Sequence, residues 1–299
     1  AAADRRRIPV LVVSGRISDT SFPRYRRIGR WLRPILERVA AIGARSDADA
    51  ERFRALGASP EKVLVTGDLK LEPTREPASL AADLVSLVGQ VPLVGQVPLV
   101  GRVPLVVAGS THDGEETALL EALADVERAG LRASLVLAPR HPERFDAVEA
   151  LVHRAGRALR RRSRLELRPL ADGEVLLLDS MGELPGLYAH AAVAFVGGSL
   201  VPVGGHNLLE PVLEGRPVLF GPHTENAREA ADLALCSGAG CRVADSADLA
   251  RAAVEALRDP AAWSERAEAG RQALEQHRGT AERSANQNLG ARDRSRREG

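Results

Sequence analysis

Between residues 103 and 277 the chain alternates short apolar runs with segments of helical periodicity, and the apolar runs end in polar loops, four of the six carrying glycine. The runs at 103–108, 134–138, 175–179, 193–197 and 217–220, with a weaker one at 241–243, have the length and unbroken apolar character of strands buried on both faces. Helical patterns lie between and after them at 114–129, 142–155, 182–191, 207–214, 225–236, 247–258 and 261–277. Parallel strands need long crossovers, and helical crossovers cover the faces of the sheet, so this alternation leaves few solutions. It predicts an α/β fold with a doubly wound parallel sheet.

Upstream the same signals are sparser. Ile8–Val13 and Lys62–Thr66 are strand-type runs, and Trp31–Val39 has helical spacing with Pro34 confining its start. Ser46 and Asp49 form a capping-box-like opening of a helix that Gly57 closes. In between, the hexapeptide LVGQVP stands at 87–92 and 93–98 and returns as LVGRVP at 99–104. Three such copies are too short for a solenoid and read as an expanded linker. The apolar stretch Leu84–Gly109 that contains them carries Pro92, Pro98 and Pro104 with Gly89, Gly95 and Gly101, so no transmembrane span is read from it. The expected organisation is a first domain over 1–75, a linker over 76–102, a second domain over 103–284 and a disordered, arginine-rich tail over 285–299.

The 299 residues suffice for two domains with their own cores, and a net charge of +1 is too even for a nucleic-acid coat, so no nucleic-acid partner is expected. Of the 41 basic residues only Lys62 and Lys70 are lysine. An arginine cluster is therefore first a matter of composition, and the run from Arg154 to Arg168 reads as merely exposed. Cys236 and Cys241 give neither a disulfide framework nor zinc spacing and read as small buried apolar residues of a reducing compartment.

The chemistry-bearing residues fall where the strands end. Gly109–His112 follows the 103–108 run, Pro139–Pro142 the 134–138 run and Asp179–Leu184 the 175–179 run. Gly197–Ser199 through Gly204–Asn207 follows the 193–197 run, and Gly221–Thr224 the 217–220 run. In an open parallel sheet these loops emerge on the carboxyl edge, where ligands of doubly wound folds bind. Glycines admit phosphate oxygens to backbone N–H groups, and Arg140 can supply a permanently charged bidentate donor, which suits a phosphorylated nucleotide. Ser180 with Glu183 and Asn207 with Glu210 also read as capping boxes, a role compatible with ligand contact. His112, His141, His206 and His223 share these loops, but no pair has metal-ligand spacing, and no metal site is expected; His153, His190 and His277 fall on helical patterns.

The ordered motifs GSTHDGEE (109–116), PRHPERF (139–145), MGEL (181–184), FVGGSL (195–200), GGHNLLE (204–210) and GPHTEN (221–226) closely resemble the 3-deoxy-D-manno-octulosonic acid (Kdo) transferases of lipopolysaccharide synthesis. Arg6–Arg16, Ser46–Gly57 and VTGDLK (65–70) look like the same family, so the resemblance runs from about residue 5 to about 284 around the repeats. It implies a GT-B glycosyltransferase with two Rossmann-like domains. It further implies an inner-membrane enzyme that moves Kdo from CMP-Kdo to a lipid A precursor with inversion, without a metal or other cofactor. The family's CMP contacts carry over onto Pro139 and Arg140, onto Met181, Gly182 and Glu183, and onto Asn207, Leu208, Leu209 and Glu210. Leu208 stands where many members have proline.

The family's general-base glutamate, in a Ser-Val-Gly-Glu-like motif, has no counterpart here, so no catalytic base is named and the first domain is expected to be partial. Between Arg5 and Arg38 ten arginines face only Asp19 and Glu37, a pattern that reads either as a solvated helix face or as contact with an anionic membrane surface. With no spanning segment, the chain is expected to be soluble or peripheral at the cytoplasmic face of the inner membrane. Two other readings stay open: a non-catalytic CMP-binding remnant, and a different GT-B enzyme that uses a UDP-sugar.

Overall fold

The computed structural model describes residues 8–18, 21–73, 80–88, 103–166 and 168–286. Most of the hexapeptide repeat, and the tail from residue 287, lie outside the described residues. Two compact units divide the chain: residues 1–72 with 277–299, and residues 73–276.

In the first unit three parallel strands, β1 (Leu11–Gly15), β2 (Ala41–Ala44) and β3 (Val63–Val65), pair in sequence order. Helices α1 (Phe22–Arg27), α2 (Gly29–Glu37) and α3 (Asp47–Ala55) connect them, and Ile17, Ile42, Phe53, Leu56 and Val63 are buried together. The start of α3 forms as the sequence indicates: the Asp49 amide donates to Ser46 Oγ at 3.2 Å, and Ser46 Oγ donates to the Asp49 carboxylate at 2.8 Å. Asp49 also accepts the Ile17 amide at 2.8 Å, so the cap ties the helix to the segment after β1. The strand β2 was not expected, because Ala-Ile-Gly-Ala lacks the β-branched run that marks a strand; its small residues pack under the helices, fully buried. Pro34 does not confine the start of α2 but lies inside it. No residue of α1 or α2 is buried, and Trp31 and Ile35 are 67% and 62% exposed.

The second unit is a seven-stranded, all-parallel sheet in the order β10-β9-β8-β4-β5-β7-β6. Its strands are β4 (Leu105–Thr111), β5 (Ser134–Pro139), β6 (Leu159–Arg161), β7 (Val175–Leu177), β8 (Val193–Val196), β9 (Val218–Phe220) and β10 (Gly240–Arg242). Helix α4 (Ala82–Val88) precedes β4. Helices α5 (Glu115–Arg128), α6 (Phe145–Arg154), α7 (Leu184–Tyr188), α8 (Leu209–Leu213) and α9 (Arg228–Ser237) connect the strands, and α10 (Ser246–Arg258) and α11 (Pro260–Glu275) close the unit. Leu119, Leu123, Leu135, Leu137, Phe195 and Trp263 belong to its core. From β4 the order runs one way through β5, β7 and β6 and the other way through β8, β9 and β10. This reversal opens a crevice at the carboxyl ends of two adjacent strands, here β4 and β8.

Several expectations are corrected. Residues 82–88 are not linker: Leu84 and Leu87, one turn apart, are buried in α4, and the Leu170 amide donates to the Leu87 carbonyl at 3.2 Å. The second domain does not extend to 284. Residues 280–286 are helical and belong to the first unit, where Thr280 is fully buried, Ala281 donates its amide to Glu72 at 2.8 Å and Arg283 reaches the Thr66 carbonyl at 3.3 Å. The tail expected to be disordered from 285 therefore has its first two residues in a helix. Cys236 is exposed rather than buried, and Cys241 is half-buried.

The arginine run is not merely exposed either. Arg160 is buried, with two bonds of 2.7 Å to Glu174 and further bonds to the carbonyls of Glu166, Arg168 and Pro169. Burial raises the Glu174 carboxyl, but the hydrogen bonds from Arg160, Arg168 and the Ala171 amide outweigh it and bring the pKa to about 2. Among the described residues no helix is long and apolar enough to cross a membrane.

Candidate functional site

The loop after β4 and the loop after β8 flank the crevice, and one carboxylate joins them. Glu115, at the first position of α5, is 1% exposed and accepts four backbone amides: His112 at 2.9 Å, Gly198 at 2.8 Å, Ser199 at 3.0 Å and Leu200 at 3.0 Å. A buried carboxylate with four donors is fully satisfied, and it fixes the Gly-Gly-Ser-Leu backbone over the end of β4. Gly197 permits the approach, since a Cβ there would lie 2.4 Å from the Ser110 carbonyl oxygen. Next to it Glu116, fully buried, accepts Thr111 Oγ1 at 2.7 Å and Arg144 at 2.6 and 3.0 Å. The pair with Glu116 raises the Arg144 guanidinium above its ordinary range.

The residues expected to contact CMP stand on three loops of this edge. Pro139 ends β5, buried, and the Arg140 amide donates to the Thr111 carbonyl at 3.0 Å while the Arg140 side chain is exposed, with no side-chain hydrogen bond or ion pair among the described residues. After β7, Met181 is 77% exposed, and Gly182 takes a left-handed φ of +85° that a side-chain-bearing residue adopts only with strain. Glu183 is engaged by Arg162, with bonds of 2.7–3.1 Å, and by Ser180 Oγ; Arg162 in turn pairs with Asp83 at 2.9 Å. The Arg162 bonds, with Ser180, hold the Glu183 carboxyl below the usual range against the effect of burial.

After β8, Asn207 Oδ1 accepts the Leu209 amide at 3.1 Å and Asn207 Nδ2 donates to Glu210 at 3.2 Å, while Leu208 is buried and Leu209 half-buried. Neither expected capping box forms as read. The N-cap residues are Glu183 for α7 and Leu208 for α8, because Pro185 and the Asn207 turn place the first helical residues at 184 and 209. Three imidazoles meet at the same edge: His206 Nε2 lies 2.8 Å from His112 Nε2, and the His141 ring stands edge-on to His112 with centroids 5.4 Å apart. Burial, with His112, Arg140 and His141 nearby, lowers His206 to about 4. His223, whose amide donates to the Ser199 carbonyl at 3.0 Å, lies 3.9 Å from Glu225. Among the described residues no group of three or more His, Cys, Asp or Glu side chains is placed to hold a metal ion.

The sequence reading missed Glu115, Glu116 and the His112–His206 contact. Adjacent acids in the first turn of a helix read as dipole complements. The signal in the sequence was their place directly after a strand-end loop, where a buried acid can take up the loop's amides.

Residues 1–72 match the family model described as 3-Deoxy-D-manno-octulosonic-acid transferase (kdotransferase). The chain is 35% identical over 286 residues to the 3-deoxy-D-manno-octulosonic acid transferase of Bordetella pertussis, which covers 95% of this chain and 64% of that protein. The protein of the same name from Haemophilus influenzae is 34% identical over 93% of this chain and 63% of its own length. The chain thus spans less than two thirds of these curated relatives. The crystal structure of the C-terminal CMP-Kdo binding domain of WaaA from Acinetobacter baumannii is 34% identical, with a TM-score of 0.53, over 58% of this chain and 90% of that domain. UDP-GlcNAc 2-epimerase from Neisseria meningitidis, 14% identical with a TM-score of 0.50 over 97% of this chain and 71% of its own, shares the fold alone.

Proposed function

The chain belongs to the 3-deoxy-D-manno-octulosonic acid transferase family, and from that premise we propose that its second unit binds CMP-Kdo at the carboxyl edge of the seven-stranded sheet. The chain then serves the transfer of Kdo, with inversion of the anomeric centre, to a lipid A precursor in lipopolysaccharide synthesis. The observation that carries this reading is the meeting, at the β4/β8 reversal, of loops from β4, β5, β7 and β8, in a unit 34% identical to a CMP-Kdo binding domain. Arg140, exposed and without a side-chain ion pair among the described residues, takes the nucleotide phosphate. Asn207 and Glu210, bonded to each other, present acceptor oxygens to the ribose hydroxyls. Glu183, already committed to Arg162, anchors the loop on which Met181 and Gly182 expose their backbone to the ligand. Pro139, Leu208 and Leu209 shape the wall.

The acceptor side of the reading draws on α2. Ile28, Trp31 and Ile35 form an exposed apolar line, and Arg24, Arg26, Arg27, Arg30, Arg33 and Arg38 are exposed around it. A helix of this kind lies in the interface of an anionic membrane, which suits work at the cytoplasmic face of the inner membrane.

Calorimetric titration of CMP into the full chain tests the donor reading, with UMP as control and circular dichroism to follow folding. Binding selective for CMP and lost in Arg140→Ala and Glu210→Ala is the expected result. A folded chain indifferent to CMP would sink the donor site.

A further inference from the structure

The nucleotide contacts leave three side chains of the same edge without a role. His112, from the loop after β4, and His206, from the loop after β8, lie end to end and nearly coplanar, with centroids 5.1 Å apart, planes 6° from parallel and Nε2 atoms 2.8 Å from each other. Two imidazole nitrogens at that distance share one proton: one ring donates from Nε2, and the other accepts and keeps its own proton on Nδ1. His141, next to Arg140, closes on the His112 ring from a third loop. The His206 ring is packed from behind as well, since a Cβ at Gly198 would fall 2.9 Å from His206 Cδ2.

The charges around these rings are lopsided. Those that act on His206 are His112, Arg140 and His141, all positive or able to become so. Those on His112 are His141 and Arg144 on one side, Glu115 and Glu116 on the other. Both glutamates are spent, Glu115 on four amides and Glu116 on Arg144 and Thr111. Burial and positive neighbours keep His206 neutral near pH 7 and lower His112 as well. His141 faces the exposed Glu143 at 3.7 Å, whereas none of the described carboxylates acts on His206.

We infer that His112, His141 and His206, together with Arg140, form a proton-linked seat for a phosphate or carboxylate, and that the hydrogen-bonded His112–His206 pair takes a proton from solvent when the anion arrives. For the identity of that anion the seat rests on the donor reading, because CMP-Kdo carries both a phosphodiester and a sugar carboxylate. The paired imidazoles then do for the anion what a fixed cation could not: they stay neutral in the empty site and charge only on binding.

Histidine C2–H resonances of the full chain, titrated from pH 5 to 8.5, test this, with His112→Gln and His206→Gln to assign them. The titration is run alone and with CMP, cytidine, free Kdo or sulfate, whose charge is constant over the range. In the empty chain His206 does not titrate above pH 5; with the seat filled its midpoint rises by about two pH units or more, into the titrated range, equivalent to anion binding about a hundredfold tighter at the acid end. A rise with CMP but not cytidine assigns the phosphate, and a rise with free Kdo assigns the carboxylate. If CMP binds by calorimetry while CMP, Kdo and sulfate all leave the midpoints in place, the seat is overturned and the donor reading stands. If CMP does not bind but sulfate raises His206, the seat stands and the nucleotide reading falls. No movement with any anion overturns the seat.

Discussion

Three buried glutamates organise the second unit in two different ways. Glu115 holds backbone: its four amide partners have no other acceptor among the described residues, and Glu115→Gln replaces one acceptor oxygen with a donor aimed at N–H groups. This change is expected to destabilise the chain by about 3 kcal/mol in denaturant unfolding and to weaken CMP binding, because hydrogen bonds to a charged acceptor are the costly ones to lose. Glu116 and Glu174 hold arginines. Glu174→Gln leaves Arg160 charged in a site 6% exposed, at a cost of about 3–5 kcal/mol. With its pKa near 2 in the folded chain against an ordinary 4.5, Glu174 contributes stability that is full above pH 4.5 and is lost as pH falls toward 2. Acid unfolding curves check the sign: the Gln variant lacks that part of the acid dependence. The role of Glu174 was not legible, because a lone glutamate carries no mark of burial in the sequence, and Glu115 and Glu116 were marked only by following a strand-end loop, whereas Arg140 and Asn207 stood out by their place at strand ends.

At the scale of elements the sequence marked strands by apolar character and failed where a strand is stabilised otherwise. Leu159-Arg160-Arg161 forms β6 because Glu174 neutralises the inward arginine, and because Asp146, Glu149 and Asp179 bind the outward one. Composition had discounted those arginines. Helix α4 was hidden in the segment that reads as linker, with only its last two residues inside the repeat. The strand-end loops, in contrast, were placed correctly on the carboxyl edge, since parallel pairing leaves no other edge for them. Two glycine substitutions separate close approach from backbone strain. Gly182→Ala meets open space and only a positive φ, so it costs about 1–2 kcal/mol. Gly197→Ala drives a methyl into the Ser110 backbone and is expected to lower the melting temperature further and to weaken CMP binding. For α2, cosedimentation with vesicles containing phosphatidylglycerol is expected for the intact chain and reduced in a Trp31→Ala, Ile35→Ala variant. Equal sedimentation with neutral phosphatidylcholine vesicles would remove the anionic surface from the account.

On the whole-molecule scale, alternation alone specified a doubly wound sheet, and the ordered motifs specified the family. The division of the chain was less visible, because residues 277–286 return to the first unit through contacts that no local pattern announces: Thr280 buried, Ala281 bonded to Glu72, Arg283 reaching the Thr66 carbonyl. The central claim is that the carboxyl edge of the seven-stranded sheet is a CMP site built from loops after β5, β7 and β8. Hydrogen exchange of backbone amides with and without saturating CMP tests it most directly. The account predicts slowed exchange confined to 139–141, 180–184 and 206–210, with the loop amides held by Glu115 already slow in the free chain. Protection elsewhere in the chain, or binding without protection of these three loops, would contradict it.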